Sequence, residues 1–173
     1  MSDRRSFLRG ASVLMAHAAF GQVMTAFAAA PRKATFFTDS EMVTLRALVD
    51  VILPATDSLA ASAADTHYFI DLAIPACASA DAQKTFREGL KVLGKKRFAN
   101  SAPAAQVGVL KARAAADEQL AYDQSFFKIL KDYTLTGYFL SEVGATQALA
   151  YERVPGGFQG DLPLKPDQKA WAI

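Results

Sequence analysis

An all-α fold, a single small helical domain behind a cleavable leader, is predicted by three features of the chain. Apolar residues recur at spacings of three and four over several segments, which is the period of a buried helix face. No segment shows sustained strand alternation, and no repeat of twenty to fifty residues is evident. Helix start and stop signals bracket most of the periodic stretches.

The first segment is read as an address rather than as structure. Arg4-Arg5-Ser6-Phe7-Leu8-Arg9 precedes an apolar, alanine-rich run from Ala11 to Phe27, with small residues around Ala26-Phe27-Ala28. A basic start, an apolar middle and a small-residue end make a secretory signal. The paired arginines followed by Phe7 and Leu8 resemble the twin-arginine type, read by a translocase that exports folded proteins. Asp3, where Ser or Thr is usual, and Arg9, where Lys is common, depart from that pattern. A membrane anchor needs about 20 predominantly apolar residues, and His17, Gly21 and Gln22 weaken this run. Cleavage is expected after Ala28, giving a leader at 1–28 and a helical domain at 29–173 in the periplasm.

The first helix is expected after Phe37, with Thr38 as N-cap, Glu41 as its capping-box partner and Phe37 against Met42 as a staple. Met42, Leu45, Leu48, Val49 and Ile52 form its inward stripe, and Pro54 ends it. Ala55 to Asp65 reads as a loop. A short helix follows from Thr66 to Ala73, with Phe69, Ile70 and Ala73 inward and Pro75 beyond its end. The next starts near Ser79 or Asp81 and carries Phe86, Leu90, Leu93 and Phe98, with Lys91, Lys95, Lys96 and Arg97 on a solvated face.

Asn100 to Pro103 breaks the chain and opens another helix, with Val107, Leu110 and Ala114 inward and Pro103 tolerated in its first turn. The fifth and longest helix is expected over Tyr122 to Leu140. Phe127, Leu130, Thr134, Gly137 and Tyr138 share one of its faces, and Gly137 predicts a ring or backbone packed where its side chain is missing. Ser141 is expected to cap a short helix from Glu142 to Ala150. Val154-Pro155-Gly156-Gly157 reads as a turn, and a tail with Trp171 ends the chain.

Composition excludes several classes. Of 19 basic and 17 acidic residues, the leader holds Arg4, Arg5, Arg9 and Asp3, which leaves 16 of each. A formally neutral domain does not suit a nucleic-acid binder. With 51% hydrophobic residues the chain buries a real core, so it needs no disulfide framework, which its one cysteine forbids. Cys77 is either buried and inert, the commoner state of a free cysteine, or paired with another chain.

The chain is poorly equipped for catalysis. Gly156-Gly157 is no dinucleotide turn, because it follows a proline and leads into a tail. One cysteine excludes covalent haem. His67 with Asp65 and Asp71 would supply part of a metal site at best, and a half-exposed helical histidine is the ordinary explanation. His67 is also the one base for serine catalysis, with no Gly-x-Ser-x-Gly elbow beside any serine. Glu142, Glu152, Asp123 and Asp132 are the carboxylates that a fold would have to gather for acid–base work, and their spacing does not demand it.

Phe126-Phe127-x-x-Leu130, then Thr134-x-x-Gly137-Tyr138-Phe139-x-Ser141-x-x-Gly144, then Tyr151-x-x-Val154-Pro155-Gly156-x-Phe158-x-Gly160, stand in a succession that resembles the gluconate 2-dehydrogenase subunit 3 family. The likeness is strongest over Phe126–Gly160 and extends back to Phe36. It implies a non-catalytic small subunit of an exported sugar or sugar-acid dehydrogenase. Its implied partner is a large FAD-containing subunit of the glucose–methanol–choline type, with a multihaem cytochrome c carrying haem in some complexes. No cofactor is expected on this chain, which would stabilise the flavoprotein and assist its folded export, reaching the membrane through its complex.

The aromatic excess of the segment nominates Phe126, Tyr133, Tyr138, Phe139, Tyr151 and Phe158 as interface rings, since neighbouring rings point about 100° apart on a helix. A free-standing periplasmic ligand-binding domain, or an unrecognised hydrolase, is the competing reading. It predicts a formed pocket with convergent polar groups.

Overall fold

The computed structural model describes residues 21–22, 33–150 and, in the tail, 156, 161, 163, 166 and 168–171. The described residues form one small all-α domain. Helices α1 (Asp39–Ile52), α2 (Thr66–Cys77), α3 (Ala80–Lys95), α4 (Pro103–Ala116) and α5 (Phe126–Phe139) are joined by short 3-10 turns, and a π-helical turn follows at Gly144–Ala148. Helix α5 packs against each of the other four.

The expected capping box of α1 is present. Thr38 accepts from the Glu41 amide and the Glu41 carboxylate accepts from the Thr38 amide. Met42, Leu45, Leu48 and Val49 are buried, and Ile52 is half-buried. The segment before α1 is pinned by a carboxylate on α2. Asp71, almost fully buried, accepts from the amides of Thr35 (2.6 Å), Phe36 (3.0 Å) and Phe37 (2.7 Å) and from the Thr35 hydroxyl (2.8 Å). Arg87 of α3 completes the clasp, donating to the Phe36 carbonyl at 2.8 Å and lying 4.1 Å above its ring.

Helix α2 runs four residues beyond the expected end at Ala73 and includes Pro75. A proline so close to the C-terminus removes one intrahelical bond only, and the last turn still closes through the Ala78 amide on the Ile74 carbonyl. His67 is buried rather than half-exposed, at 6%. Cys77 is exposed, which removes the buried alternative, because it sits on the last turn of α2 where that helix leaves the core.

Helix α3 is N-capped by Ser79, and its sixteen residues make it the longest. The fifth helix is shorter than expected, because Tyr122–Gln124 forms a separate 3-10 turn and Ser125 caps α5. Ser125 accepts from the Lys128 amide and donates to Asp117, whose carboxylate also accepts from the Phe127 amide and pairs with Arg113 at 2.9 Å. That buried carboxylate ties the end of α4 to the start of α5.

The face of α5 is rotated slightly from the expected one. Phe126, Ile129, Leu130, Thr134, Gly137 and Tyr138 are buried, while Phe127 is half-buried. Phe126 wins the inward place because Gly89 on α3 leaves room for its ring, which also lies 5.3 Å from that of Phe86. The short helix expected over Glu142 to Ala150 is instead the π-helical turn Gly144–Ala148, entered from Val143, and Ser141 accepts from the Gly144 amide at 3.0 Å ahead of it. Beyond it Ala150 bridges to Trp171 in parallel.

Candidate partner interface

The six nominated rings are sorted by the fold. Phe126 is fully buried and Tyr138 is 2% exposed, so both are core side chains of this domain and leave the set of interface candidates. Tyr138 is held at both ends. Its ring packs edgewise on Phe139 at 5.3 Å, and its hydroxyl reaches the Leu59 carbonyl at 2.8 Å and Ser58 Oγ at 3.0 Å. Phe139 is 36% exposed and Tyr133 half-buried. Tyr151 and Phe158 lie outside the described residues, as do Arg4, Arg5, Phe7 and Leu8.

Leu59, whose carbonyl accepts from Tyr138, is exposed, as are Phe139 and Leu140. Tyr133 stands near Cys77 and Asp132. Burial first, then those two neighbours, push its phenol up to about 12. Burial also raises the Tyr122 phenol, helped by Asp132, to which its hydroxyl donates at 2.8 Å. The Cys77 thiol is raised by partial burial, so it is a poor nucleophile at neutral pH.

Of the carboxylates considered for acid–base work, Asp132 and Asp123 are engaged by hydroxyl donors. Asp132 accepts from Tyr122, Asp123 accepts from Ser79, Glu142 is exposed and Glu152 is outside the described residues. Asp71 and Asp117 hold backbone. Among the described residues no group of three His, Cys, Asp or Glu side chains could hold a metal ion, and no helix is long and apolar enough to cross a membrane.

Among the surface grooves of the described residues, three border α1, α3 or α4. One of about 660 Å³ lies between α1 and α3 and includes Val43, Lys91, Lys95 and Arg97, with Glu41 on its wall. The other two flank α4, which packs chiefly on α1 and α5. Sequence reasoning missed them. The available signal was α4 itself, a helix of fourteen residues rich in Ala and Val that buries only Leu110.

The glycines of the motif stretch have definite work. A Cβ on Gly137 would lie 3.0 Å from Cγ of Phe69 and closer still to Cδ1, and one on Gly144 would lie 2.7 Å from the Tyr138 carbonyl carbon. Both allow approaches that any side chain would block.

No curated protein and no solved structure gives a match. The family model described as gluconate 2-dehydrogenase subunit 3 matches residues 39–156, well over half of the sequence and all of the helices described above. The chain therefore belongs to the gluconate 2-dehydrogenase subunit 3 family.

Proposed function

We propose that this chain is the non-catalytic small subunit of an exported dehydrogenase whose large subunit carries FAD and oxidises a sugar or sugar acid. The observation that carries the reading is the family match over 39–156. The use of the buried polar groups supports it: Asp71 and Asp117 are spent on backbone amides and a helix cap. Exposed Leu59, Phe139 and Leu140 give the domain apolar surface suited to a permanent partner. Hydride removal takes place on the flavoprotein, which belongs to the glucose–methanol–choline type, and a multihaem cytochrome c takes the electrons onward in complexes that have one. The small subunit stabilises the flavoprotein and carries it in folded form through the twin-arginine route into the periplasm.

Replacing Arg4 and Arg5 by lysine in the native host tests this role. Both this chain and the flavoprotein should then remain in the cytoplasm. A flavoprotein that still reaches the periplasm at the normal level would refute the carrier role, and normal export of the variant chain would refute the twin-arginine signal.

A further inference from the structure

Helix α4 is the least buried helix of the domain, with Leu110 alone of its fourteen residues inside. A groove of about 300 Å³ opens between it and α3, with Val92, Val109, Ala112 and Ala116 on its walls and the buried Phe126 ring packed beneath Gly89 under its floor. A second, of about 250 Å³, lies on its other flank against α1 and α5, lined by Val51, Ile52, Val107 and Phe127. Val92, Val107 and Val109 are 49%, 39% and 38% exposed, so these apolar walls face water.

The charges are one-sided. Lys96 and Arg113 line the first groove and Lys111 and Lys131 the second, and neither is lined by any carboxylate. Arg113 is already paired with Asp117, whereas Lys96, Lys111 and Lys131 are exposed. The larger groove between α1 and α3 differs, since Glu41 shares it with the lysines.

We propose that the two grooves flanking α4 receive an apolar segment of the flavoprotein subunit that is edged with carboxylates. The proposal rests on the function argued above and adds the place and the chemistry of recognition. The exposed Val92, Val107 and Val109 accept apolar anchors, as in other helix-in-groove contacts. The lysines set register and select acidic flanks, and a like-charged segment is repelled.

The test uses tagged full-length chain purified from the native host, with the flavoprotein identified by its flavin absorbance and mass. Its presence with the unaltered chain establishes the partnership, so the variants report on the grooves alone. Replacing Lys96, Lys111 and Lys131 together by glutamate should lower the retained flavoprotein by about tenfold. Raising salt from about 0.1 M to about 1 M, which cuts the screening length from about 10 Å to about 3 Å, should weaken the unaltered complex in the same direction. Val92→Ser with Val109→Ser should also release the partner while leaving the melting temperature of the lone subunit nearly unchanged. Lys84→Glu with Lys91→Glu, outside both grooves, should retain it. Retention at the unaltered level in both groove variants overturns the proposal. So does a groove variant that keeps the flavoprotein but loses self-association or binding to vesicles of anionic phospholipid.

Discussion

Gly137 of α5 and Phe69 of α2 interlock: the ring occupies the space that a side chain at 137 would fill. Both are buried, and Phe69 is fully so. Gly137→Ala should therefore lower stability, although alanine favours a helix by about 1 kcal/mol over glycine. Overpacking typically costs about 1–3 kcal/mol, and a clash with a closed-in ring belongs at the upper end, for a net loss of about 1–2 kcal/mol. Gly108 in α4 has nothing within 4 Å of such a Cβ. Gly108→Ala should stabilise by about 0.5–1 kcal/mol. Thermal melting of the two variants checks both signs.

Asp71→Ala should loosen the entry to the domain. It strips acceptors from three amides and a hydroxyl, and hydrogen bonds to a charged group are worth about 1.5–3 kcal/mol each. Solvent will satisfy the outer amides, so the expected loss is on the order of 3 kcal/mol. Amide hydrogen exchange over Thr35 to Phe37 should accelerate well beyond that of α5. Equal protection before and after substitution would contradict the assigned clasp.

That clasp also shows where sequence reading stops. The capping box of α1 was legible because its partners are three residues apart, and the Gly137 contact because a glycine inside an amphipathic helix asks for a neighbour. Asp71 lies more than thirty residues from the amides that it serves. An acid on an apolar helix face signals a buried partner without naming it. Helical phase was legible on α5 to within one residue, and the choice of Phe126 over Phe127 was made by Gly89 on another helix. The same distance effect hid the grooves beside α4: exposed valines on α4 match its helical period as well as buried ones do, and only packing separates them.

The rings of α5 should divide by experiment. Phe126→Ala should cost about 3–5 kcal/mol of folding stability, the usual figure for a core phenylalanine, and Tyr138→Ala should be similarly damaging because its hydroxyl also holds the Leu59 carbonyl. Phe139→Ala should leave melting nearly unchanged while weakening flavoprotein retention. A melting loss at Phe139 as large as that at Phe126 would return it to the core.

Alkaline pH should destabilise the domain through Tyr133. Burial is the chief cause that pushes its phenol from the ordinary 10.0 up to about 12 in the fold. The raised folded value means that the stabilisation is complete below the unfolded value and is lost as pH climbs towards the folded one. Melting temperature should therefore decline between these two pH values, and less steeply in Tyr133→Phe. An identical decline in that variant would assign the effect to other groups.

Purification of the tagged chain from its native host, followed by the ratio of bound flavin to chain, tests the central claim most directly. A large flavin-bearing subunit should co-elute in stoichiometric amount and carry all of the sugar or sugar-acid oxidation, and the chain stripped of it should show neither a flavin nor a haem band. A chain that elutes alone in folded form, or that oxidises substrate without a partner, would contradict the account.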